Sequence, residues 1–367
     1  MTLKKRKIVE EEIEGLGEPE DEGLGDYPID TLSIRTEQRT VFDVCRRMGQ
    51  GSFVMDPDFQ RDFIWSEDQQ SKLIESVLMR IPLPVFYLAE DNKGQLIVVD
   101  GLQRLSTFQR FFKNELHLKL PSRSELNEKT FEELSPKLKN RFEDCQLILY
   151  IIDPKVPERP RLDIFDRVNS GVPLTRQQMR NSLYMGPATR FLKDEAKTEV
   201  FLEATGRSLE TTTMRDREFV NRFCAFQLLP LEDYKGDMDE FLAAALKKMN
   251  DLSSRKLAKL SREFRASLAN NSAVFGKHAF RKHTAEKEGR SILNASLWDV
   301  MSTGLSGYSE PVVEERADQL RTAFYSLMDD DKFKKAITYG PNTPTEVRHR
   351  FKAAKEMFLE VFGANAT

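Results

Sequence analysis

The chain is poor in residues that build covalent or metal frameworks. Its 367 residues include only three cysteines, Cys45, Cys145 and Cys224, far apart and outside any CxxC or Cys/His cluster. That excludes a disulfide scaffold or zinc ribbon and points to a reducing compartment, most simply the cytoplasm. Apolar runs are short too. None approaches the roughly 20 residues needed to cross a bilayer, so no membrane partner is expected. The basic start Met1-Thr-Leu-Lys-Lys-Arg-Lys7 meets acidic residues rather than an apolar core, which reads as no secretory signal. There is no Walker A sequence, no GxSxG and no HExxH. His278 and His283 stand five apart, not at the i, i+4 spacing of a helical metal pair. They read as surface imidazoles, and nuclease action by this chain is not expected.

What is present is the material of an ordinary globular protein. With 40% apolar and 31% charged residues the chain has enough for a sizeable core, and its length suggests two units. The charge is unevenly divided. Residues 1–30 carry four basic and ten acidic side chains, and glycines punctuate them, so 1–26 reads as a disordered acidic tail. The short basic run Lys4–Lys7 is read as part of that solubilising tail. From Lys247 to Arg290, twelve Lys/Arg face four Asp/Glu. That stretch is either a solvated helical face or a surface for anions, with Arg255, Lys256, Lys259 and Arg262 as nucleic-acid-binding candidates.

Along the chain the pattern predicts a helix over Thr40–Met48. A capping box at Ser66-Glu-Asp-Gln69 opens a second helix, ended by Pro82 and Pro84. Val85–Ala89 and Gln95–Val99 read as an antiparallel hairpin, followed by a helix over Leu102–Phe112. A third strand is expected over Gln146–Ile152, then a helix to Val168 and another opened by a second capping box, Thr175-Arg-Gln-Gln178. Beyond about residue 187 only helices are expected: 191–202, 217–229, 238–249, 257–268, 291–303, 312–327 and 345–362. No internal repeat is evident. The fold class is α+β, with domains over 27–187 and 188–367.

The strongest local signal is Val98-Val-Asp-Gly-Leu-Gln-Arg104. A buried strand ends in Asp100, turns at Gly101 and opens a helix with Arg104 in its first turn. A helix start carries free amides and partial positive charge and so attracts phosphate. Gly101 would allow close backbone approach, Arg104 a bidentate clamp, Asp100 a magnesium ligand, and Gln103 a hydrogen bond to water or a hydroxyl. The plain alternative is a glycine that turns the chain and an aspartate that caps the helix.

This segment resembles the DGQQR motif of the GmrSD-type restriction endonuclease N-terminal domain, within the ParB/sulfiredoxin-like fold. Three further boxes agree in order: Phe59-Gln-Arg-Asp-Phe-Ile-Trp65, Phe165-Asp-Arg-Val-Asn-Ser-Gly-Val-Pro-Leu174 with Arg180-Asn181 beyond it, and Arg217-Glu-Phe-Val-Asn-Arg-Phe223. The resemblance implies a ParB-like domain that binds a nucleoside triphosphate and belongs to defence against foreign DNA. It implies Asp100, Gln103 and Arg104 as catalytic, and Gln60, Arg61, Gly101, Arg104, Arg167, Asn169, Arg180 and Asn181 as nucleotide-binding, with Mg²⁺ at Asp100. On residue pattern alone Arg180 and Asn181 would default to the surface. Leu102 departs from the motif, standing where the family has its first glutamine. Two readings follow. One is a protein that binds a nucleoside triphosphate, with or without hydrolysing it, and meets DNA or a separate nuclease or defence partner. The alternative is a non-catalytic DNA-binding or adaptor module with a vestigial pocket.

Overall fold

The computed structural model describes residues 13–16, 33–55, 65–91, 93–168, 175–286 and 289–363, without the side chains of 158, 159 and 166. They divide into an N-terminal unit over 23–183 and a helical unit over 184–367 that also takes in 1–22.

The N-terminal unit runs β1 (Ile34–Thr40), α1 (Val41–Gly49), β2 (Phe53–Val54), α2 (Glu67–Leu78), β3 (Phe86–Glu90), β4 (Leu96–Asp100), α3 (Leu102–Phe112), α4 (Pro136–Glu143), β5 (Gln146–Ile152), α5 (Glu158–Val168) and α6 (Arg176–Leu183). The strands form one mixed sheet in the order β1-β5-β3-β4-β2. β3 and β4 are the expected antiparallel hairpin, β5 lies parallel to β3, and β1 pairs antiparallel with β5. Strand β1 was not anticipated. Its sequence IRTEQRT has one large apolar residue, and it sits at the sheet edge, where charged side chains also discourage pairing with another chain.

Side chains alternate across β4, and all of Leu96–Val99 are buried, so both faces of that strand are covered. Leu96 and Val98 join Phe86, Leu88, Leu149 and Ile151 in a core with the apolar faces of α1–α4. Within it Phe108, Phe111, Phe131 and Phe142 pack ring to ring, with centroids 5.3–6.1 Å apart. Such aromatic packing carries much of a core's apolar burial. α6 packs on β4.

The helical unit comprises α7 (Pro187–Ala196), α8 (Glu199–Thr205), α9 (Arg215–Leu228), α10 (Met238–Asn250), α11 (Ser254–Phe275), α12 (Ala295–Gly304), α13 (Glu310–Glu315), α14 (Ala317–Asp329), α15 (Asp331–Thr338) and α16 (Pro344–Phe362). Two helices expected to be continuous are broken, 191–202 between α7 and α8 and 312–327 at Arg316. α11 is longer than expected, and α15 was missed. Trp298 forms the centre of the core, within 4.5–6.2 Å of Phe201, Phe219, Phe264 and Phe280, and its Nε1 donates to the Phe219 carbonyl.

Residues 13–16, expected within a disordered tail, lie on this unit, where Glu14 bridges to Asn294.

Candidate functional site at the start of α3

The hairpin register slips between Tyr87 and Leu88: Leu88 pairs with Val98, but Tyr87 pairs with Asp100. The extra residue, Val99, makes a bulge that re-aims the end of β4. Gly101 follows in the left-handed region (φ +102°) and precedes α3 without any side-chain cap. Its lack of a side chain has a local cause. A Cβ there would stand 2.4 Å from Cδ1 of Phe86, a ring with no exposed surface. The close approach that requires glycine is therefore to Phe86.

Arg104 is similarly committed. Its Nη2 donates to Asp100 Oδ2 at 2.7 Å and to the Val85 carbonyl at 3.1 Å, and its Nη1 donates to the Pro84 carbonyl at 2.5 Å. The guanidinium lies 4.3 Å over the Phe86 ring. Burial draws its pKa down from the ordinary value, and the Asp100 carboxylate opposes this. Arg104 thus ties the approach to β3 onto the start of α3. Gln103 is half-buried, and its Oε1 accepts from the Trp65 amide at 3.4 Å. Leu102 is 8% exposed and belongs to the core.

α6 supplies the second part of the site. Thr175 and Gln178 form the expected capping box, with side chain and amide bonded in both directions. The helix is buried from Gln177 to Leu183, which corrects the surface position expected for Arg180 and Asn181; each is 1% exposed. Gln177 links the two: its Oε1 accepts from Arg180 Nε and Nη2 at 3.1 and 2.9 Å, and its Nε2 donates to Asn181 Oδ1 at 2.9 Å. Such a polar row, buried beside the strand that ends in Asp100, is not what a purely apolar packing surface would use. Arg167 is exposed at the end of α5. Gln60, Arg61 and Asn169 lie outside the described residues.

Magnesium fits this site only in company. Asp100 is a single carboxylate, 36% exposed, with Oδ2 taken by Arg104. Among the described residues no group of three or more His, Cys, Asp or Glu could hold a metal. Mg²⁺ commonly uses one carboxylate together with substrate phosphates and water, and Asp100 suits that minimal share. Two cavities, of about 670 Å³ in the helical unit and 480 Å³ between α2 and α4, are not lined by residues 100–104.

In the helical unit, Arg255, Lys256, Lys259 and Arg262 are exposed on α11, with Lys259 near Glu263 at 3.3 Å. Two other members of the basic stretch are engaged within the unit: Arg265 is paired with buried Glu195, and Arg281 is 1% exposed, donating to carbonyls. The two histidines are not surface imidazoles either. His283 is 4% exposed, and its ring lies 4.9 Å from both His278 and Phe324. Sequence reasoning also missed a buried triad. Arg222 grips Asp299 through Nε and Nη2 at 2.8 and 2.6 Å, and Arg350 Nη2 adds a third bond at 2.8 Å. Its one sequence sign is Arg222 within the Arg217–Phe223 box.

No helix among the described residues is long and apolar enough to cross a membrane. No curated protein and no solved structure matches the chain. Residues 41–185, which include the bulge, the Asp100–Arg104 segment and α6, match the family described as GmrSD restriction endonuclease, N-terminal domain.

Proposed function

We propose that the protein is a restriction-type defence component whose N-terminal unit, ParB-like in fold, binds a nucleoside triphosphate at the start of α3. The family match supports the coarser reading, a protein of the restriction and defence type. The observation that carries the finer one is the uncapped start of α3 beside a buried polar row. Helix α3 begins after Gly101 with no side chain on its first amides, and α6, whose Gln177, Arg180 and Asn181 are buried and bonded to one another, packs on the strand leading into it. Free amides with the partial positive charge of a helix start favour an anion. In this reading the α3 amides take phosphate oxygens, Gln103 exchanges its long bond to Trp65 for a ligand or water, and Arg104 holds the geometry while lending charge. Magnesium would arrive with the triphosphate, with Asp100 as its protein ligand, and would neutralise phosphate charge.

The test is a thermal-shift series with ATP, GTP, CTP and UTP, with and without Mg²⁺, on the wild type, Gln103→Ala and Arg104→Ala. A ligand at a hundred times its dissociation constant stabilises by about 2.7 kcal/mol, a rise of several degrees. One nucleotide should raise the midpoint of the wild type, less so that of Gln103→Ala. No rise with any of the four on a folded sample overturns the reading.

The exposed basic side chains of α11 favour a second reading, a DNA-binding or adaptor module. Its mark would be DNA affinity that falls by decades between low and moderate salt and is lost on charge reversal at Arg255, Lys256 and Lys259, with no phosphate release.

A further inference from the structure

Residues 13–16 sit on the helical unit as a bound peptide would. The Glu14 amide donates to the Leu293 carbonyl at 2.9 Å, and the Ala295 amide donates to the Glu14 carbonyl at 2.8 Å. Ala295 opens α12, so its amide lacks an acceptor within the helix, and the peptide supplies one. The Glu14 carboxylate meets Lys282 Nζ at 2.5 Å and accepts from Nδ2 of fully buried Asn294 at 3.3 Å. Asn342 Nδ2 donates to the Leu16 carbonyl at 2.7 Å. Between these contacts Gly15 adopts φ +79°, and a Cβ on it would come within 3.1 Å of Ser296 Oγ and 3.2 Å of the Ser296 amide nitrogen. The site therefore reads a glutamate followed by a glycine.

The tail contains that word twice. Glu14-Gly-Leu-Gly17 recurs as Glu22-Gly-Leu-Gly25, each followed by an acid, Glu18 or Asp26. Acidic residues also precede each copy, Glu10–Glu12 and Glu20-Asp21. The 670 Å³ cavity complements them. It shares Lys282, whose Nζ also donates to Thr338 Oγ1, with the Glu14 contact and adds Lys334 and Lys335, against Asp329 and Asp331.

We propose that the helical unit carries a recognition site for the acidic peptide Glu-Gly-Leu-Gly, and that the two copies in the tail are alternative occupants of it. In the structure Glu14, Gly15 and Leu16 of the first copy occupy the site. The contacts are few, but an attached ligand works at an effective concentration near the millimolar range, so a weak site stays filled and still exchanges. This proposal stands apart from the nucleotide reading.

Hydrogen exchange at the Ala295 amide in the intact chain tests it, comparing the wild type with Gly15→Val, Gly23→Val and the double variant. Each single variant should keep Ala295 protection, because the other copy fills the site. The double variant should lose it by about tenfold, the scale of one lost hydrogen bond, while amides of α9 and α16 stay protected. A fluorescein-labelled peptide of residues 10–18 should then bind the double variant, be displaced by a peptide of residues 18–26, and bind far less to the same protein carrying Lys282→Glu. Loss of protection in Gly15→Val equal to that in the double variant would overturn the alternative occupancy. Unchanged protection in the double variant, or no binding of either peptide, would overturn the site itself.

Discussion

Gly101→Ala should destabilise the N-terminal unit by about 2–5 kcal/mol, from two separable sources. The backbone at this position is left-handed (φ +102°), which costs an L-residue about 1–2 kcal/mol. The new methyl would lie 2.4 Å from Cδ1 and 3.0 Å from Cε1 of Phe86. That ring cannot retreat: it is fully buried, with Phe108 at 6.4 Å behind it and the Arg104 guanidinium at 4.3 Å over its face. Overpacking of such a core costs a further 1–3 kcal/mol, roughly. Urea unfolding followed by far-UV circular dichroism and by the fluorescence of Trp65, the one tryptophan of this unit, gives the total. Repeating the substitution in Phe86→Leu separates the parts, since the smaller side chain relieves the clash and leaves the backbone strain. The cost of Gly101→Ala should fall there to about 1–2 kcal/mol. Two results would refute this account. One is a Gly101→Ala protein as stable as the wild type; the other is an equal loss with and without the Phe86 ring.

Asp299→Ala should cost more than any surface change, about 3–5 kcal/mol, because it strands two buried guanidiniums, while Asp299→Leu with Arg222→Met and Arg350→Met should recover much of that loss. Urea midpoints of the single and triple variants check this. Burial pushes the Cys45 thiol up to about 12, so at pH 8 its reaction with a disulfide reagent should run about a thousandfold slower in the folded chain than after unfolding. The same shift fixes a sign. The contribution of this thiol to stability is complete below its ordinary value of 9.0 and is lost as pH rises toward 12, so Cys45→Ala should flatten the alkaline arm of a stability profile.

The elements that could be read from sequence are those whose signals are local. The capping boxes at Ser66 and Thr175, the hairpin around Gly94 and the long helices α9, α10 and α16 each announce themselves within a dozen residues. Strand β1 does not. Its partner is β5, more than a hundred residues on, and its polar alternation is stabilised by a ladder of Arg35, Glu37 and Arg39 and by backbone pairing from Ile34↔Ile152 to Thr40↔Gln146. Helix α15 did carry an apolar set, Phe333, Ala336 and Ile337 behind an Asp330 cap, but it follows α14 so directly that no breaker separates them. In the site, the Asp100–Arg104 motif was legible because strand, glycine and helix are contiguous. Arg180 and Asn181 were misplaced because helix periodicity assumes one wet face. α6 has none from Gln177 onward, and its polar side chains bond one another instead.

The departure at Leu102 takes on a different meaning once the motif is folded. Its side chain joins Leu105 and Phe108 in the core behind α3, whereas Gln103 and Arg104, the next two residues, are half-buried. Successive helix positions point about 100° apart, so these neighbours cannot share the direction of Leu102. A glutamine at 102 in this same arrangement would bury an amide among leucines and phenylalanines, a loss of about 1–3 kcal/mol unless every polar atom were bonded. Leucine therefore removes nothing from the open side of the α3 start, where the free amides, Gln103 and the Asp100 carboxylate are. What it can change is the support behind them. Leucine at 102 thus bears on the stability of the Gly101 turn before it bears on ligand chemistry, and the phosphate binding proposed for this helix start requires no side-chain hydrogen bond at 102.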